Sequence, residues 1–363
     1  MGRYVIKLGS NIVADDSGAL RGDVLAAVCS CVAERHRAGD DFVIVSSGAI
    51  ARGAEAMGLE RRPSTMADLQ AASAVGQGRL YRVWDEILGG AGLTTAQVLL
   101  TFFDVGHRSH YLNARQTLSR LLEWRVVPVV NENDTTATEE ITFGDNDFLA
   151  AQVATLCGAD RLVLLTNQDG LHERDPREDP AAPLVREVVE PAELEAYSIG
   201  QAPSGMGSGG MRSKVVAAEM ATAAGIPTVI CNGLKEGALD RALGGEPEGT
   251  LFAARAQDHS SFELWLRYAK PASGRLVIDG GAARALREDG ASLLPVGIVG
   301  VEGGFGPGDA VEITDGEVVV AKGIVGFGAE EMAALAGKRS DEADAVLGRP
   351  AGEAVHRDLL VLV

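Results

Sequence analysis

Two lysines and an acidic turn carry the first chemical signal in this sequence. Lys7 lies inside the apolar run "VIKLGSN", where an ammonium is unfavourable unless it meets an anion or reaches water. The residues that follow, Gly9 among them, offer backbone N–H groups and little bulk, which suits phosphate oxygens. Lys214 opens a helical pattern in "GSGGMRSKVVAA", behind Gly205, Gly207, Gly209 and Gly210. Glycines let a backbone close on a ligand, and a helix N-terminus favours an anion. The stretch "TFGDNDFLAA" presents Asp145, Asn146 and Asp147 where a helix needs one capping side chain, leaving polar groups over. Plainer readings exist: a lysine snorkelling at a strand end, a glycine linker, an acidic capped turn. The glycine stretch, however, ends abruptly in an amphipathic helix, which a free linker does not do. Anion binding fits these residues better.

Elements that could position them alternate along the chain up to about residue 255. Strand candidates are "RYVIKL", "DFVIVS", "RVVPVV", "RLVLLT" and "PTVIC", rich in Val, Ile and Leu as strands buried on both faces are. Leu149, Val153 and Leu156 have helical spacing, with Gly158 as a stop; another helix is expected from about Met211 to Gly225. Strand–helix alternation predicts an α/β fold, a mainly parallel open sheet sandwiched by helices. The strand ends read "KLGSN", "SSGAI", "NENDTT", "TNQDG" and "CNG". Ligands of open α/β sheets bind beyond the carboxyl ends of the strands, so that edge is the expected site. Residues 1–258 form the expected first domain, 259–270 a connector, and 271–351 a small β-rich domain of short strands and glycine turns.

Bulk properties narrow the classes. The chain has 363 residues, 46% hydrophobic and 5% aromatic, so its core is built of Ala, Val, Leu and Ile. A formal charge of −18 argues against nucleic acid or an anionic membrane as the main partner. No apolar run approaches the roughly 20 residues of a membrane span, and the first residues enter a strand pattern directly; a soluble cytoplasmic protein is expected. Four cysteines, Cys29, Cys31, Cys157 and Cys231, outline neither a disulfide framework nor a zinc cluster. The glycine stretch is not a Walker A loop, because Val215 follows Lys214. The "HRD" at His356–Asp358 lacks the asparagine and glycine-rich loop of a protein kinase, and no serine has nucleophile-elbow spacing.

The words "VIKLGSN", "VIVSSGAIARG", "LNARQTL", "VPVVNENDTTATEEITFGDNDFLAA", "LLTNQDGLHERDP" and "GSGGMRSKVVAA" closely resemble the glutamate 5-kinases of the amino acid kinase family. The C-terminal segment resembles the PUA domain of many bacterial members. The resemblance runs in order over nearly the whole chain, and it implies ATP-dependent phosphorylation of the γ-carboxylate of L-glutamate to L-glutamyl 5-phosphate, the first step of proline biosynthesis. A carboxylate with a pKa near ~4.3 is already ionised at neutral pH, so the missing histidine base is expected. Phosphoryl transfer then rests on positioning and charge neutralisation. A lysine at about 4 Å contributes roughly 4 kcal/mol at an effective dielectric near 20, against roughly 0.3–1 for a helix terminus. Lysines therefore dominate, with Mg²⁺ bound through the nucleotide phosphates adding to them.

By the same resemblance, Lys7 and Lys214 flank the transferred phosphoryl group and Asp147 holds both. Gly9, Thr166, Asn167, Ser208, Gly209, Gly210 and Met211 belong to the ATP site; Asn167 stands where relatives often have Asp. Ser47 and Gly48 match a glutamate-binding turn. Asp134 and Asp145 suit the α-ammonium of glutamate, and Asn146 its carboxylate. Proline as feedback inhibitor, a homodimer or tetramer, and hand-over of the acyl phosphate to glutamyl phosphate reductase are implied partners. The alternatives are another small-molecule kinase of the family, or an RNA-associated PUA protein without catalysis. Between Pro271 and Pro350 there are seven Lys/Arg and thirteen Asp/Glu, a net of −6, which disfavours RNA.

Overall fold

Branched apolar runs become strands because such side chains fit a pleated surface buried on both faces. The computed structural model describes all residues except 16–17, 60, 62, 102–107, 137–145, 198–209, 256–260, 269 and 271. Two compact units divide the chain, Met1–Ser261 and Phe262–Val363.

The first unit holds β1 (Arg3–Leu8), β2 (Asp41–Ser46), β3 (Thr95–Leu100), β4 (Val127–Glu132), β5 (Arg161–Thr166), β6 (Glu187–Val188), β7 (Thr228–Asn232) and β8 (Thr250–Phe252). They form one sheet in the order β3-β4-β2-β1-β5-β7-β8-β6. The contiguous run β4-β2-β1-β5-β7 is parallel throughout, so five carboxyl ends share one edge. These are the five strands expected from the sequence, β4 lying two residues later than "RVVPVV". β3 escaped notice because it is a half-exposed edge strand, and β6 and β8 because two and three residues hold no period. The chain order reverses between β1 and β5, the switch point where open sheets bind ligands.

Helices α1 (Ser10–Val13), α2 (Gly22–Arg37), α3 (Ala49–Ala56), α4 (Met66–Gly90), α5 (Arg108–Glu123), α6 (Asn146–Cys157), α7 (Met211–Ala223) and α8 (Ala238–Gly244) cover the sheet. Alternation along the strands sorts the two layers. Ile6 and Leu8 of β1 join α2, α4 and α8 in one apolar core with Trp84 and Phe42. Lys7, between them, faces the other layer, where α6 packs across β1, β2, β4 and β5 and against α7. Burial pushes the Cys29, Cys157 and Cys231 thiols up to about 12, so they behave as small hydrophobes.

The second unit contains β9 (Gly274–Ile278), β10 (Ile298–Gly303), β11 (Ala310–Asp315), β12 (Val318–Val325) and β13 (Val355–Leu362), in the order β10-β9-β11-β12-β13. Helices Gly280–Asp289, Ala329–Leu335 and Ser340–Leu347 accompany this sheet. It has its own core, including Leu276, Ile313, Val355 and Met332. Among the described residues, no helix is long and apolar enough to cross a membrane.

Candidate active site

The N-terminus of α6 is the hub of the strand-end edge. Asp147, fully buried, receives Lys7 Nζ on Oδ1 at 2.5 Å and Lys214 Nζ on Oδ2 at 3.1 Å. Lys7 comes from β1 and Lys214 from the first turn of α7, so one carboxylate joins three elements. Ser213 Oγ lies 2.9 Å from both Asp147 Oδ2 and the Gly210 carbonyl, and its single proton serves the two acceptors. Burial alone raises a carboxyl pKa; here Lys214 and Lys7 outweigh it and hold Asp147 well below the usual carboxylate range. The lysines are 5% and 3% exposed, so their charge is little screened by water.

Asn146, one residue earlier, turns toward the other strand ends. Its Nδ2 lies 2.9 Å from Asn131 Oδ1, 3.2 Å from Ser47 Oγ and 3.3 Å from the Ser46 carbonyl. Its Oδ1 accepts the Glu132 backbone N–H at 3.3 Å. Two amide hydrogens therefore serve three acceptors, and one can be exchanged for a ligand. Asn131 in turn donates Nδ2 to Gln77 Oε1 of α4 at 2.6 Å. Ser46 Oγ accepts the Trp84 indole N–H at 2.9 Å, tying the end of β2 to the core. Gly48 follows at φ 113°, a left-handed conformation that admits glycine and starts α3 sharply. Asp134 is buried two residues beyond β4 and accepts the Ser73 hydroxyl of α4. Burial raises its carboxyl above the ordinary range, and the Ser73 bond only partly opposes this.

The third group lies at the ends of β5 and β7. Gly9 N–H donates to the Leu165 carbonyl at 3.3 Å, binding the turn after β1 to β5 across the switch point. Thr166 is buried and its carbonyl accepts the Gly233 N–H at 2.9 Å, while Asn167 is exposed. Nearby, Asp169 bonds Asn232 Nδ2 at 2.9 Å and Lys235 Nζ at 2.8 Å. Gly210 is the N-cap of α7 and Met211 its first residue. Asp145, Ser208 and Gly209 lie outside the described residues.

The profile of the Amino acid kinase family matches residues 2–232, the part of the chain that carries Lys7, Ser47, Asp134, Asn146, Asp147, Thr166 and Lys214. The chain belongs to the amino acid kinase family. The PUA domain profile matches residues 274–347. A glutamate 5-kinase of Meiothermus ruber is 43% identical over 362 residues, covering 99% of this chain and 95% of that protein. One from Sphingopyxis alaskensis is 45% identical over 365 residues, covering 99% and 97%. A solved UMP kinase of Bacillus anthracis aligns over 70% of this chain and 97% of its own at 19% identity and a TM-score of 0.49.

Within this amino acid kinase fold, Lys7, Lys214 and Asp147 are in direct contact, and Ser47 and Asn146 form a second contact group. Sequence reasoning missed Ser213, Ser73, Asn131 and Gln77. Asn131 lay in view inside "VNEND". Ser73 had a subtler signal: it interrupts the buried stripe Leu69, Ala72, Gly76, Leu80, Trp84 and Leu88 of α4, where a hydroxyl needs a partner.

Proposed function

We propose that this chain is a glutamate 5-kinase, transferring the γ-phosphoryl group of ATP to the γ-carboxylate of L-glutamate. The observation that carries the reading is the pair Asn146–Asp147. One residue gathers two buried lysines, and its neighbour belongs to a hydrogen-bonded group of neutral polar side chains at the ends of β2 and β4. The names borne by relatives at 43% and 45% identity support glutamate as acceptor.

In this mechanism Lys7 and Lys214 take the non-bridging oxygens of the γ-phosphoryl group, with Asp147 setting their spacing. Backbone N–H groups around Gly9 and at the start of α7 receive the remaining phosphate oxygens. An oxygen of the acceptor carboxylate donates its electron pair to the γ-phosphorus as the bond to the β–γ bridging oxygen breaks, releasing ADP. No proton moves, so no general base is needed. The lysines counter charge that concentrates as two anions approach, which is where electrostatic stabilisation acts. Ser47 and the Gly48 turn orient the acceptor. Asp134, with Asp145, receives its α-ammonium, and Asn146 meets its carboxylate. Thr166 and Asn167 flank the nucleoside.

Mg²⁺ fits this scheme as a companion of the nucleotide. No group of three or more His, Cys, Asp or Glu among the described residues could hold a metal ion, and both Asp147 oxygens are engaged by lysines. The described residues thus supply no metal cage of their own. A cytoplasmic location, proline as feedback inhibitor, a homo-oligomer, and hand-over of the unstable acyl phosphate to a reductase belong to the same proposal. The PUA unit serves regulation or assembly.

The test is ADP release from ATP with L-glutamate, aspartate, acetylglutamate or carbamate, trapping the product with hydroxylamine. Glutamyl hydroxamate is the expected product, and less of it when proline is added. Turnover with another acceptor but not glutamate would overturn the reading.

A further inference from the structure

Asp134 is an unusual carboxylate for a protein interior. Among the described residues it forms no ion pair, and the Ser73 hydroxyl is its one hydrogen-bonding side chain. A buried carboxylate in that condition awaits a cation. Ser73 occupies Oδ2, which leaves Oδ1 to meet one.

The height of Ser73 is not free to drift. A Cβ on Gly76 would sit 1.9 Å from the Ala49 carbonyl oxygen, and one on Gly53 would sit 1.7 Å from the Ala72 carbonyl oxygen. The α3 and α4 backbones therefore touch beside Ser73, locking α4 against the helix that begins at the Ser47–Gly48 turn. Gln77, one helical turn after Ser73, reaches the end of β4 through Asn131. The same stretch of α4 thus grips Asn131 at the end of β4 and Asp134 just beyond it.

We propose that Ser73 is a positioning residue that makes the acceptor site select an α-ammonium, by fixing the Asp134 carboxylate with one oxygen held and the other presented. The inference rests on the glutamate reading above. Without Ser73 the buried carboxyl loses the donor that favours its charged, oriented form.

The experiment measures glutamate kinetics of the full chain with Ser73→Ala, Ser73→Thr, Asp134→Ala and the Ser73→Ala/Asp134→Ala double variant, with thermal melts alongside. Ser73→Ala should raise KM for glutamate about tenfold, the scale of one hydrogen bond to a charged group, while kcat stays within about twofold. Ser73→Thr, which keeps the hydroxyl, should return KM toward wild type. In the Asp134→Ala background the Ser73 change should alter KM by less than about twofold, because its effect runs through that carboxylate. A Ser73→Ala loss that persists undiminished without Asp134 would make Ser73 a packing residue and overturn the proposal. So would an unchanged KM. Wild-type protein inactive on glutamate would instead remove the functional reading, and the Ser73 role with it.

Discussion

The two halves of the site treat charge in opposite ways. At the half proposed to hold the phosphoryl group, Asp147 is already paired with two buried lysines before any nucleotide arrives. At the half proposed to hold the acceptor, Asp134 has only a hydroxyl among the described residues, and the contacts of Asn146 with Asn131, Ser46 and Ser47 are amides and hydroxyls. The first half is preorganised and the second is incomplete. A transition state that gains charge needs its cations held rigidly, whereas a substrate bearing an ammonium can supply its own countercharge on arrival.

The largest expected effect comes from breaking the preorganised half at its centre. Asp147→Asn should lower the free energy of unfolding by about 3–5 kcal/mol, because two buried ammonium groups lose their counterion. Its pH signature follows from the depressed Asp147 pKa. The stability it contributes is fully present above the ordinary carboxylate range and is lost only as pH falls through the lower folded value. Denaturant melts of wild type and variant should therefore differ by a constant amount between about pH 7 and 5, converging only in stronger acid. Convergence near neutrality would mean that the ion pairs do not hold the region together.

Lys7→Met should leave the fold standing and reduce kcat on the order of 10²–10³-fold, as removal of a preorganised transition-state donor does. Near-normal kcat in this variant would return Lys7 to the role of a strand-end lysine reaching for water.

Asp134 should respond with the opposite signs. Asp134→Ala should raise KM for glutamate on the order of 10–100-fold with a smaller effect on kcat, since a ground-state contact to the ammonium is removed. Because burial lifts the Asp134 pKa, its desolvation penalty is present at neutral pH and fades as pH falls through the raised folded value. In the absence of substrate, Asp134→Asn should consequently melt higher than wild type at neutral pH, with the advantage shrinking in acid. An isosteric amide that destabilises the empty protein would show that Asp134 is already compensated.

The smallest effect concerns the second unit. A chain ending at about residue 258 should fold and keep kcat within about twofold at saturating substrates, because every residue assigned to the site precedes that point. Changes should appear in proline sensitivity or in assembly state, read by inhibition curves and by sedimentation. A folded but inactive fragment would place a missing part of the site beyond the cut.

What was legible in the sequence follows the same division. A charged group in an apolar strand and a lysine behind a glycine stretch announce themselves, so Lys7 and Lys214 could be singled out from types and neighbours alone, whereas Asp147 stood as one of three polar residues until the resemblance assigned it. The five central strands could be found because burial on both faces makes them continuous apolar words. The partners of Asp134 and Asn131 could not. Ser73 and Gln77 lie more than fifty residues from them in the chain, and small neutral side chains on a long helix look like ordinary helix residues until the fold brings them to β4. β13 was hidden for another reason: the four consecutive residues His356–Leu359 of this edge strand are exposed, so it shows no alternation.

Neighbouring residues on an α-helix point about 100° apart, since 3.6 of them complete a turn. Asn146 and Asp147 exploit that angle: in the proposed mechanism a single stiff peptide unit, with its two Cα atoms about 3.8 Å apart, separates the anchor of one reactant from the anchor of the other. The reach between donor and acceptor is therefore gauged by covalent geometry, not by how tightly two loops happen to close. An inserted residue at this joint would rotate the gauge by about 100°, so acceptor length can be retuned by changing the surroundings of the joint but not its span.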